Sequence, residues 1–144
     1  MFEYQFTRRR ISDRTLTGSN PMDVFAATKH IFEGAENEHF VVVAMDNKNR
    51  IVGVETVYVG NAYAAVVRVG EVFRLPIRLN ATRMVIAHNH PTGDATPSTE
   101  DIHSTTEIIR AGAILDIPCL DHIVVTEGGQ FVSMRERGYA QFGD

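Results

Sequence analysis

Two histidines spaced two apart, His88 and His90, followed by Asp101, are the side chains whose types and spacing best suit a metal ion. In extended backbone, residues two apart point the same way, so both imidazoles can meet at one point while Asn89 faces away. Pro91 supports this by disfavouring the α region at His90. Gly93 and Pro97 give the following loop one permissive and one stiff position with which to bring a helix back beside the strand end. Thr96 as N-cap with Pro97 as the first helical residue is a favourable start, and it sets Ser98 and Asp101 at neighbouring positions of one helix face. Two imidazoles and a carboxylate then converge, and three protein ligands with an open fourth position make a catalytic rather than a structural zinc. Water on such a metal still needs a base to take its proton. Glu55 is the candidate, because its strand has a face formed by Ile51, Gly53, Glu55, Val57 and Val59, an acid in a row of small or apolar residues. Desolvation there raises a carboxyl pKa and a nearby cation lowers it.

Each residue also has a plainer reading. A lone strand-end histidine is usually structural, and it is the company of His90, Asp101 and Glu55 that changes the reading of His88. Asp101 in the first turn of a helix is stabilised by the helix dipole without any metal. Ser98 can serve simply as an N-cap. Glu55 becomes a solvent-facing acid if its strand shifts register by one residue, although Val57 and Val59 argue against that. His122, His30, His39 and His103 are expected to be hydrogen-bonded in the core rather than to bind metal. Cys119 reads as a small buried hydrophobe.

Residues 1–20 are polar, lack core periodicity and end in the turn-like Gly18-Ser19-Asn20-Pro21, so they form an arm or edge segment ahead of one domain over 21–144. Apolar residues at helical spacing from Met22 to Phe32 predict a helix over 21–34. Residues 40–45 and 51–59, separated by Asp46-Asn47-Lys48-Asn49, predict a hairpin. Residues 70–81 predict a helix interrupted at Pro76. The short apolar run 84–87 predicts a strand buried on both faces, with His88 at its C-terminal end. A loop over 91–97, a helix over 98–111 ending near Gly112, and strands over 121–126 and 130–133 complete the pattern. Strands alternate with helices, which defines an α/β fold.

The 144 residues suit one domain, and 44% hydrophobic with 22% charged residues is ordinary globular usage. A net charge of −4 gives no overall attraction to phosphate backbones, so nucleic-acid binding would need a local patch, for which Arg8-Arg9-Arg10 is the one run. That run more often is a solvated segment. A single cysteine rules out an internal disulfide and a thiolate metal cluster, leaving nitrogen and oxygen ligands. It also excludes a zinc nucleobase deaminase, which needs Pro-Cys-x-x-Cys. No apolar run approaches the roughly 20 residues of a membrane span and the N-terminus has no signal-like core, so a cytoplasmic location is expected.

Glu55, followed by His88-Asn89-His90, seven residues, Ser98, two residues and Asp101, resembles the JAMM motif of JAB/MPN metalloproteases. Ala87-His88-Asn89-His90-Pro91-Thr92-Gly93, Gly70-Glu71-Val72-Phe73 and Leu120-Asp121-His122-Ile123-Val124-Val125 are similar to the RadC branch of that superfamily, over about residues 22–139. The resemblance implies a three-layer α/β/α domain related to cytidine deaminases, with a mixed sheet. It implies Zn2+ held by His88, His90 and Asp101, Glu55 as general acid/base, and Ser98 supporting the oxyanion of a tetrahedral intermediate. The implied activity is hydrolysis of an amide bond in a protein or peptide. The alternative is a repair-associated nuclease or a DNA-binding or interaction module. RadC proteins usually carry a helix-hairpin-helix region ahead of this domain, for which 144 residues leave no room, so a DNA-repair role is not expected. The residues 60–70 are a candidate wall of a substrate groove. The sequence does not specify an oligomeric state.

Overall fold

The chain forms a five-stranded sheet with one helix on one face and two on the other, in a computed structural model that describes residues 1–10, 14–60 and 67–144. The elements follow in the order α1 (Pro21–Phe32), β1 (Glu38–Met45), β2 (Ile51–Gly60), α2 (Val69–Arg78), β3 (Arg83–His90), α3 (Thr99–Leu115), β4 (Cys119–Thr126) and β5 (Phe131–Ser133). The sheet order is β2-β1-β3-β4-β5. Among the described residues only β3 and β4 pair in parallel, and α3 makes the crossover between them, as a parallel connection requires. The expected three-layer α/β architecture with a mixed sheet is what the chain adopts.

The central strands explain their composition. Residues 40–45 of β1 are wholly buried because helices cover both sides of the strand. Alternate residues divide between two cores. Phe40, Val42, Met84 and Ile86 pack with Val72 and Phe73 of α2 and Ile108 of α3, whereas Val41, Val43, Val85 and Ala87 pack with Val24 and Phe32 of α1. α1 begins where Asn20 accepts a hydrogen bond from the Asp23 amide and Pro21 occupies the first helical position. Pro76 lies within α2 without ending it. Ahead of α1, the Leu16 carbonyl and the Gly18 amide bond to Ile51 and Asn49, so the chain joins the sheet edge before the helix begins. Residues 1–10 are exposed, with the Arg78 guanidinium 3.2 Å from the Phe6 ring centroid.

Several expectations need correction. Helix α3 is capped by Ser98, not by Thr96, and starts at Thr99, because Ser98 and Asp101 form a reciprocal capping box that outweighs the Thr96-Pro97 start. It also runs past Gly112 to Leu115 and ends on Asp116 in the left-handed region. Gly112 serves close approach rather than termination: a Cβ there would lie 2.6 Å from the Ile117 carbonyl oxygen. In β2 the pairing slips between Phe40 and Val41, so Tyr58 stands opposite Phe40 while Glu55 stands opposite Val42. The slip breaks the expected single row, and Val59 is 51% exposed. His30 and His103 are exposed rather than in the core. Most of the proposed groove segment over 60–70 lies outside the described residues.

Candidate metal centre

Strand β3 continues through His88 and His90, so both imidazoles project from the same face at its C-terminal end. The crossover then returns α3 with Asp101 in its first turn. His88 Nε2 lies 2.8 Å from His90 Nε2, His90 Nε2 lies 3.2 Å from Asp101 Oδ2, and His88 Nε2 lies 3.4 Å from the same oxygen. Zinc bonds of ~2.0–2.1 Å put the corners of a tetrahedron ~3.3 Å apart, so these three atoms already approximate one face of a coordination shell. Among the described residues, this is the group of three His, Cys, Asp or Glu side chains that could hold a metal ion.

The backbone around the cluster fixes its members. Gly93, at φ 88°, turns the chain so that the Asp94 carbonyl accepts a 2.8 Å hydrogen bond from His90 Nδ1. That commits the Nδ1 proton of His90 and leaves Nε2 bare in the neutral ring. Asp101 Oδ2 accepts from the Ser98 amide at 2.8 Å, and the Asp101 amide donates to Ser98 Oγ at 3.0 Å. The capping box therefore also aims the carboxylate. His88 and Asp101 are buried, and Phe40 stands beside the His88 ring with centroids 6.5 Å apart.

Two acceptors 3.2 Å apart inside a protein require a proton or a cation between them. The electrostatics of the ion-free cluster express that demand. Burial pushes the His88 pKa down, against the pull of Asp101. Burial also opposes charge on His90, but its hydrogen bonds to Asp101 and to the Asp94 carbonyl prevail and hold its pKa above the ordinary value. For Asp101 burial favours the neutral acid, yet the imidazoles of His88 and His90 and the Ser98 amide favour its charged form and hold it far below the usual carboxylate range. The donor set fits zinc, with two imidazole nitrogens and one carboxylate oxygen.

Glu55 and Ser98 are placed differently from the trio. Ser98 is exposed at the N-terminus of α3, next to Asp101. Glu55 shares a row with Val42 and Ile86, so it lies on the same sheet face as His88 but one same-face row away and two strands over. Ordinary sheet spacings put the two backbones about 12 Å apart. Its Oε1 accepts from Arg74 of α2, at 2.8 Å from Nη2 and 3.2 Å from Nε.

Three further residues support the site in ways that sequence reasoning did not assign, although it expected His122 in the core and Asn89 facing away. His122, read as a core histidine, is fully buried with Nε2 2.6 Å from His88 Nδ1 and Nδ1 2.6 Å from Thr105 Oγ1. Burial and the neighbouring His88 hold its pKa well below the ordinary value. Thr105 carries no motif signal at all. Asn89, between the two metal-facing histidines, turns to the other side, where Oδ1 accepts from the His39 amide at 2.6 Å and Nδ2 donates to the Asn37 carbonyl at 3.0 Å. It fastens the start of β1 to β3, and strict alternation along the strand was the signal that it would face away.

A three-layer α/β domain with a His-His-Asp cluster at the end of its central strand is the class that the geometry defines. A family model described as a RadC-like JAB domain matches residues 18–139, and the chain belongs to that family. It is 50% identical over 103 residues to a UPF0758 protein of Roseiflexus sp. (strain RS-1), covering 72% of this chain and 44% of that protein. It is 43% identical over 119 residues to a UPF0758 protein of Chloroflexus aggregans, covering 83% of this chain and 52% of that protein. The chain thus spans about half the length of the curated relatives it matches. Among the described residues, no helix is long and apolar enough to cross a membrane.

Proposed function

We propose that this domain is a zinc-dependent hydrolase that cleaves an amide bond in a protein or peptide, as a peptidase or isopeptidase. The observation that carries the reading is the convergence of His88 Nε2, His90 Nε2 and Asp101 Oδ2 to within 3.4 Å of one another, with the Nδ1 proton of His90 directed away. His88, His90 and Asp101 would hold the zinc, which when bound would supply Lewis-acid polarisation of a carbonyl and a water whose pKa falls to roughly 7.

The chain's own groups divide the remaining work. Glu55 takes the proton of the attacking water and returns it to the leaving amine. Both Arg74 hydrogen bonds fall on Oε1, which fixes the carboxylate while Oε2 handles the proton. Ser98 Oγ already accepts from the Asp101 amide, so its hydroxyl proton is available to the oxyanion of the tetrahedral intermediate.

Zinc-loaded wild type should cleave members of a panel of peptides and isopeptide-linked conjugates, and Glu55→Gln should lose at least about 100-fold in rate while retaining zinc. Single-stranded and duplex DNA belong in the same panel. Cleavage of DNA that depends on His88, with no cleavage of any amide, would replace the amide reading. Hydrolysis unaffected by Glu55→Gln would remove Glu55 from its role.

A further inference from the structure

A buried line of hydrogen bonds runs from one member of the cluster to another through side chains outside it. Thr105, one turn beyond Asp101 on α3, has its hydroxyl 2.6 Å from the Asp101 carbonyl oxygen. His122 on β4 lies between Thr105 and His88, at 2.6 Å from each. All three of His88, Thr105 and His122 are 0% exposed, so no water competes for these contacts.

The direction of every bond follows by elimination. A carbonyl oxygen only accepts, so the Thr105 hydroxyl donates to Asp101. The other acceptor near that hydroxyl, Met134 Sδ at 3.9 Å, would also take its proton. With its one proton spent, Thr105 Oγ1 can only accept from His122 Nδ1–H. A neutral His122 then has a bare Nε2, which accepts from His88 Nδ1–H. His88 is left with a bare Nε2, and that is the atom facing His90 and Asp101.

We infer that His122 and Thr105 are positioning residues that hold His88 in the Nδ1–H tautomer, presenting Nε2 as a preformed metal ligand. The inference extends the zinc reading of the site, because it assigns the groups that orient one of its ligands. The line also ties that ligand to the backbone of Asp101, so β3, β4 and α3 are fixed relative to one another at the point where the ion would sit. Partners of ligating histidines typically change metal affinity 10- to 100-fold when removed.

The test combines tautomer assignment by nitrogen-15 NMR on metal-free protein with zinc affinity by chelator competition and thermal unfolding. In metal-free wild type, His88 should be protonated at Nδ1. Thr105→Val, nearly isosteric, should release His122, give a mixed His88 tautomer and weaken zinc binding by about 10-fold. His122→Leu should weaken it by about 10- to 100-fold, and His122→Gln, whose Oε1 can accept in place of Nε2, should recover most of that loss. A merely structural role predicts instead that affinity tracks thermal stability across the three variants with no recovery in His122→Gln. An Nε2–H tautomer in wild-type His88, or unchanged tautomer and affinity in Thr105→Val, would overturn the inference. Wild type that takes up no zinc at all would refute the hydrolase reading separately, and the tautomer measurement would still decide the relay.

Discussion

Two buried acids of this protein, Asp121 on the sheet and Asp101 on the helix layer above it, are treated in opposite ways. Asp121, at the start of β4, meets donors on both oxygens: Oδ1 accepts from the His122 and Arg135 amides, and Oδ2 accepts from the Ser133 hydroxyl at 2.5 Å. Asp101 has one oxygen, Oδ2, that receives the Ser98 amide and also faces the Nε2 atoms of two histidines. The first acid is satisfied by the fold. The second also meets two imidazole nitrogens, an arrangement that suits a cation or a shared proton. Burial of an acid therefore does not by itself mark a functional site; what distinguishes Asp101 is that two imidazole nitrogens converge on the oxygen that the Ser98 amide already holds.

Removing each carboxylate should separate binding from stability. Asp101→Asn should weaken zinc binding more than about 100-fold, since it removes a ligand of a three-residue site, while circular dichroism stays native. Asp121→Ala should leave zinc stoichiometry unchanged but lower unfolding free energy by about 2–4 kcal/mol, because it strands a hydroxyl and two amides. Chemical denaturation of metal-free protein measures the second effect. An Asp121→Ala protein that folds normally but cannot bind zinc would erase the distinction.

The two acids should also respond oppositely to pH in metal-free protein. Burial raises the pKa of Asp121 above its unfolded value, against the donors that favour its charged form. Its contribution to stability is therefore present below about pH 4 and lost as pH rises through the folded value. The Asp101 pKa is depressed, so its contribution is present above about pH 4 and lost as pH falls further. Between pH 4 and 7, wild type should lose stability relative to Asp121→Asn, whereas wild type relative to Asp101→Asn should lose stability only on acidification below about pH 4. Parallel profiles for the two variants would contradict the contrast.

Cys119 offers the smallest test. It is buried beside Asp121, its thiol 3.4 Å from the Asp121 carbonyl oxygen, and burial pushes its pKa up to about 12. Iodoacetamide at pH 8 should leave it unmodified in native protein and label it after denaturation. Rapid labelling of the native protein would show that this side of the sheet opens.

Much of the site was legible because it depends on local geometry. The two-residue spacing of His88 and His90 specifies a shared face, and Pro97 with Ser98 and Asp101 signals the helix that must return. The error at the cap came from two competing local signals, Thr96-Pro97 and Ser98-x-x-Asp101, of which the reciprocal pair prevailed. Long-range features were not legible. The slip at Val57 depends on how β2 pairs with β1, and the approach of His122 to His88 depends on the parallel register that the α3 crossover sets between β3 and β4. Gly112 was read as a helix stop because the neighbouring Ile117 carbonyl is invisible in sequence.

The most direct test of the metal centre is a crystal structure of zinc-loaded protein with anomalous scattering recorded at the zinc edge. One peak per chain is expected, at ~2.0–2.1 Å from His88 Nε2, His90 Nε2 and Asp101 Oδ2, with a nonprotein ligand completing the tetrahedron. Zinc bound elsewhere, or no peak among these three atoms in saturating zinc, would contradict the account.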